Sequence, residues 1–219
     1  MPNWCRNYLK LKNENDLVKI VNAEGEVDYN ILLPMPEDLD VTSGGLNDRD
    51  IYIYLSKGCT IEITDNVPAI IFLKRDSFTA SFITKERIES FENSYTEMSE
   101  DDKKKSYEDG QKLVENFMRY GAVTWYEWCC ANWGVKWNAS DTDINKKGKE
   151  VEIFFCSPWG PPSGWLQKLS KEGVEFTLDW SEEGGFYGTI TGDGKGNAID
   201  SNNGNYFADD MEEGGEDNA

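Results

Sequence analysis

EVEIFFCSPWGPPSGWLQKLSKEGVEFTLDW, residues 150–180, carries two extended runs with one helical run between them. In the second extended run Val174, Phe176, Leu178 and Trp180 occupy alternate positions, the period of a half-buried strand. PWGPP breaks the chain, Trp165, Leu166 and Leu169 then share one side of a helix, and Gly173 supplies the stop. Toward the C-terminus, Gly184 and Gly185 turn the chain into FYGTITG, a returning strand. Toward the N-terminus, positions 135–157 read as a hairpin in which VKWNA leads to the turn and the polar stretch from Ser140 to Gly148 is the loop.

The start of the chain repeats this order. NYLKLKN at 7–13 alternates as a strand, and Asn15 or Asp16 is placed to cap a helix reaching Ala23. That helix would turn Leu17, Val18, Ile20 and Val21 inward and stop at Gly25. With the middle of the chain set aside, the order is strand, helix, strand, strand, helix, strand, plus one more strand. This is the split βαβ arrangement, so the expected fold is α+β: a ferredoxin-like antiparallel sheet with a large inserted α+β subdomain. The expected boundaries are 1–36 and 120–192 for the discontinuous core, 37–119 for the insertion and 193–219 for an acidic, flexible tail rich in Gly, Asn and Asp.

Within the insertion, Pro34 and Pro36 favour an extended crossing. IYIYLSKGCTIEITDNVPAIIFLKR, 51–75, reads as three short strands. From Ser81 to Tyr120 the period becomes helical, through Ile83, Ile88 and Phe91 and then Leu113, Val114, Phe117 and Met118. Ser99 with Asp102 caps the second helix and Gly121 ends it. Thr124 and Glu127 form a capping box that opens TWYEWCCANWG, where Trp125, Trp128, Cys129, Asn132 and Trp133 line one helical face.

MPNWCRN at the start, YGAVTWYEWCCANWGVKWNA in the middle, and FFCSPWGPPSGWLQKLS with the later EEGGFYG together resemble the YubB-type ferredoxin-like family of uncharacterised phage and plasmid proteins. The similar segments lie within 1–36 and 120–188, about half of the chain. The resemblance implies a mobile-element origin and the ferredoxin-like topology, and it brings no reaction and no catalytic residues.

Composition narrows the partner. With 41 acidic and 22 basic residues the net charge is −19, which repels phosphates and anionic membranes. Lys103, Lys104 and Lys105 follow Glu100, Asp101 and Asp102, which cancel their field. Direct nucleic-acid binding is therefore disfavoured. No apolar run reaches bilayer length and the first residues lack a signal peptide's apolar stretch, so the expected location is the cytoplasm of a bacterial host. Five cysteines, no CxxC spacing and no histidine argue against disulfides, zinc and an iron–sulfur cofactor; no cofactor and no metal are expected.

Candidate interaction or pocket residues are Trp125, Trp128, Trp133, Trp137 and Trp159, with Asp209, Asp210, Glu212 and Glu213 of the tail. Flat amphipathic indoles stack on bases, sugars or partner side chains, although indoles repeating on one helical face more often form core, with Asn3, Asn7 and Asn132 to take up their N–H groups. Trp159, fixed between prolines, is the one most suited to exposure. Gly-rich GDGKG, 192–196, leads into no helix and so makes a poor phosphate cradle.

Three function classes follow. The first is a non-enzymatic, acidic interaction protein that binds and inhibits a host defence protein by occupying a basic site, in some cases one that would otherwise hold nucleic acid. The alternative is a small-ligand or nucleotide-binding module with a Trp-lined pocket. An enzyme using Glu127, Cys129 or the Glu182–Glu183 pair ranks last, because acids beside a turn are ordinarily solvated.

Overall fold

A computed structural model describes residues 3–58 and 84–205. Contacts divide the chain into two compact units, one from Met1–Met35 and Tyr126–Ala219, the other Pro36–Trp125.

Among the described residues the first unit is built on a six-stranded antiparallel sheet: β1 Trp4–Leu11, β2 Ser140–Lys147, β3 Glu150–Pro158, β4 Glu175–Glu182, β5 Phe186–Asp193 and β6 Ala198–Asn205. Spatial order is β2-β3-β1-β4-β5-β6, so the four strands of the split βαβ lie as 2-3-1-4 and two more strands extend the β4 edge. Alternation fixes the register. Cys5, Asn7, Leu9 and Leu11 of β1 are buried while Arg6, Tyr8 and Lys10 point to the other face. Leu9 sits between Ile153 and Leu178, and Leu11 between Val151 and Phe176, so each buried row continues across three strands.

Helix α6, Ser163–Lys171, covers that row with Trp165, Leu166 and Leu169, all at 0% exposure. Beside it lies α1, the single turn Tyr29–Leu32, which is capped by the Asp28 carboxylate. Fully buried Tyr29 meets the Trp133 ring at 5.5 Å and the Trp165 ring at 5.0 Å between centroids. This aromatic cluster is the centre of the core.

Several expectations are corrected here. The first helix is only a 3-10 segment, Glu14–Lys19, capped by Asn13. Val18 is exposed, whereas Ile20, which ends the segment in a non-helical conformation, is buried. The polar loop expected at 140–148 is strand β2, whose position at the sheet edge requires little apolar surface. The expected tail begins with strand β6, for which the Asp193–Asn197 turn supplies the reversal; residues 206–219 lie outside the described part.

In the second unit the described elements are helical: α2 Leu46–Ile53, α3 Lys85–Glu97 and α4 Glu100–Tyr120. IYIY is therefore helix rather than strand, and the rest of the expected sheet, 59–75, falls outside the described residues. A short run of apolar residues fits either element, and here packing decides. Ile51, Tyr52 and Leu55 join Phe91, Leu113 and Val123 in one buried cluster. Gly110 of α4 lets the two helices touch, since a Cβ there would overlap the Asp50 carbonyl. Thr84 and Ser99 cap α3 and α4, and Gly121 ends α4 at φ 71°. Met118, expected on the inner face, is 77% exposed. Among the described residues no helix is long and apolar enough to cross a membrane.

Candidate functional site: an aromatic groove beside Trp159

The tryptophans expected to act together are separated by burial. Trp128 of helix α5, Trp125–Asn132, and Trp133 just beyond it are core, packed edge to face at 5.7 Å, and the Trp133 Nε1–H donates to the Leu33 carbonyl at 2.9 Å. Trp125 is half-buried. Trp137 and Trp159 are 40% and 51% exposed. The asparagines expected to serve the indoles do other work: Asn132 donates to the Trp128 carbonyl, and Asn3 to Glu182. Asp209, Asp210, Glu212 and Glu213 lie outside the described residues.

Trp159 owes its position to the loop between β3 and α6. It has a left-handed backbone, φ 70°, which costs a non-glycine residue about 1–2 kcal/mol. Neighbouring groups hold it there. The Trp159 N–H donates to the Asn3 carbonyl at 2.8 Å, and the buried Ser157 hydroxyl donates to the Gly160 carbonyl at 2.6 Å. Ser157 in turn accepts from Asn7 Nδ2 at 2.8 Å, and Asn7 is fully buried. At the far end of the loop Trp165 N–H donates to the Trp133 carbonyl at 3.2 Å. The indole is thus displayed from a frame tied to the core.

Under Trp159 runs a groove of about 610 Å³ between the start of α6 and the face of β4–β6. Pro161, Trp180, Phe186 and Ile190 provide its apolar lining, while Glu182 and Asp200 provide its charge. Gly188 shapes the floor, because a Cβ there would strike the Trp180 indole and the Asn203 side chain. The Trp180 Nε1–H is buried there without an acceptor. At the rim, Glu183 accepts from the Trp4 N–H at 3.1 Å and Glu182 from Asn3 Nδ2 at 3.4 Å, which ties the β4–β5 turn to the start of β1.

On the other side of Trp159 stands Lys136, whose Nζ lies 3.8 Å from the Trp159 ring centroid and 3.9 Å from that of Trp137. Trp4 packs on Trp137 at 6.5 Å. Lys136 thus rests its charge on two indoles, and among the described residues it forms no ion pair.

Other candidates are used within the fold. Burial pushes the Cys5 and Cys129 thiols up to about 12, and both cysteines are buried. GDGKG already holds an anion of its own: the Asp193 carboxylate accepts from the side chain and backbone N–H of Asn197 and from the Lys195 N–H, which hold it far below the usual carboxylate range. Among the described residues no three acidic or cysteine side chains converge to hold a metal.

This geometry sits largely in the C-terminal part of the chain. Residues 132–219 match the family model described as the ferredoxin-like domain in Api92-like protein. The 2-3-1-4 strand order agrees with that description. A crystal structure of protein api92 from Yersinia pseudotuberculosis aligns over 94% of this chain and 98% of that one, at 12% identity and a TM-score of 0.38. No curated protein matches.

Sequence reasoning singled out Trp159 but missed its neighbours. Trp180 sat in an alternating strand and read as core, and Phe186 and Asp200 meet it only through the β4–β6 pairing. The adjacency of Lys136 and Trp137 is visible in VKWNA, but only the fold brings Trp159 to the same ammonium.

Proposed function

We propose that this chain is a non-enzymatic, acidic interaction protein that docks a basic, partly apolar segment of a partner protein in the groove beside Trp159. The observation that carries the reading is Trp159 itself: half-exposed, held in a strained backbone by a buried hydrogen-bond chain, and set over an apolar floor with carboxylates at its edge. Exposed aromatic anchors over pockets supply most of the energy of protein interfaces, and a pre-fixed loop avoids the entropy of ordering them. The net charge of −19 accelerates encounter with a basic partner and makes it salt-sensitive. The resemblance to phage and plasmid proteins suggests the narrower form of this proposal, in which the partner is a host defence protein and docking blocks its nucleic-acid site.

The test is a fluorescence-anisotropy titration with a labelled peptide of alternating arginine and leucine, at low and high salt, against the wild type and Trp159→Ala. Saturable binding that weakens with salt and falls at least tenfold on substitution is expected. Equal binding by both proteins would remove the groove from the account. The small-ligand alternative predicts instead a salt-independent quenching of Trp180 by nucleotides.

A further inference from the structure

The pair Trp137 and Trp159 already displays the chemistry of what it accepts. A lysine ammonium resting within 4 Å of two indole centroids at once is a filled cation site, and its occupant comes from the adjacent residue in the chain. Both rings remain 40% and 51% exposed with that lysine present, so the side of the site facing solvent is open to a competitor. The site also shares Trp159 with the groove, where Glu182 and Asp200 add negative charge.

We infer that the Trp137–Trp159 pair is the specificity subsite of the docking groove, that its ligand is an arginine side chain of the partner, and that Lys136 is a resident stand-in that leaves when the arginine enters. This rests on the docking proposal and adds the chemical identity of the anchoring residue. Arginine suits the site better than lysine, because a planar, weakly hydrated guanidinium stacks on an indole face while giving up less hydration. Lys136 then acts as an in-chain competitor. A site open only part of the time binds with an affinity lowered by the open fraction, so Lys136 weakens any ligand whose side chain must enter the pair and spares one that binds through the groove alone, as a neutral side chain does.

The experiment compares the arginine–leucine peptide with a peptide in which citrulline, planar but neutral, replaces arginine. Lys136→Met keeps the length of the side chain and removes its charge. It is expected to tighten the arginine peptide by about 3- to 10-fold and to leave the citrulline peptide within about twofold. Trp137 lies outside the groove lining, so Trp137→Ala separates the subsite from the groove. It is expected to weaken the arginine peptide about 5- to 10-fold and to spare the citrulline peptide.

If Lys136→Met gives no gain, or if citrulline binds as tightly as arginine, the cation subsite is wrong. The docking groove itself survives either result as long as Trp159→Ala still abolishes binding. If neither peptide binds the wild type or Lys136→Met, both readings fall. Folding of each variant is checked by the near-ultraviolet dichroism of the buried indoles, which these surface substitutions leave unchanged.

Discussion

Ser157→Ala tests the link between the core and the displayed tryptophan. Ser157 is fully buried, donates to the Gly160 carbonyl at 2.6 Å and accepts from Asn7 Nδ2 at 2.8 Å. Asn7 has two amide protons and three acceptors within reach, and without Ser157 it keeps the Cys5 carbonyl at 3.1 Å and the Phe155 carbonyl at 3.3 Å. No buried donor is orphaned, so the cost is that of the lost bonds, about 1.5 kcal/mol. In urea, with a slope of about 1–3 kcal/mol per molar, those bonds alone are worth about half a molar or more of the unfolding midpoint. The larger effect is on binding. Once Gly160 is released, Trp159 can relax from its left-handed conformation and recover about 1–2 kcal/mol, which offsets most of the loss in stability and lowers the competent population up to about 5- to 30-fold. Urea unfolding followed by tryptophan fluorescence, with anisotropy of the arginine–leucine peptide, reads both quantities on one protein. Unchanged affinity would refute the idea that this hydrogen-bond chain positions Trp159, and a midpoint lowered by about half a molar or more would show that the strain is not recovered.

Three further outcomes follow from the same geometry. Trp159→Gly removes the anchor and also relieves a backbone strain of about 1–2 kcal/mol, so stability should stay within about 1 kcal/mol of the wild type while peptide binding is lost; a large drop in melting temperature would show that the ring is core. With thiols pushed up to about 12 by burial, Cys5 and Cys129 should resist iodoacetamide at pH 8 in the folded protein and react on unfolding, read by peptide mass spectrometry. The Asp193 carboxylate is depressed by its bonds to Asn197 and Lys195, so its contribution is complete above its ordinary value of 3.8 and is lost as the pH falls below that, through its folded value. The protection factors of β6 amides, which correct for the intrinsic pH dependence of exchange, should therefore fall below about pH 4 in the wild type, with Asp193→Asn already lowering them at pH 7.

Much of the core could be read from the chain because its strands alternate cleanly. NYLKL and VEFTLDW each put one apolar row inward, and Gly173 and the prolines marked where α6 starts and stops. What failed to show was decided by distant contacts. β2 and β6 are polar sequences that become strands because a neighbour offers hydrogen bonds, and IYIY becomes a helix because Gly110 makes room for it. The candidate site was partly legible for the same reason. Trp159 announced itself through its flanking prolines, whereas the groove beneath exists only once β4, β5 and β6 pair and bring Trp180, Phe186 and Asp200 together. Trp125, Trp128, Trp133 and Trp137 look equivalent in sequence, and the fold sends Trp128 and Trp133 inward while leaving Trp137 at the surface with Trp159 around Lys136.

The most direct test of the docking site is photo-crosslinking of the full chain with the arginine–leucine peptide carrying a central benzophenone, mapped by mass spectrometry. The groove predicts adducts on residues 159–161 and 180–190, suppressed by Trp159→Ala. Adducts confined to the acidic residues 209–217, or to 36–125, would show that the peptide follows charge alone and would contradict the account.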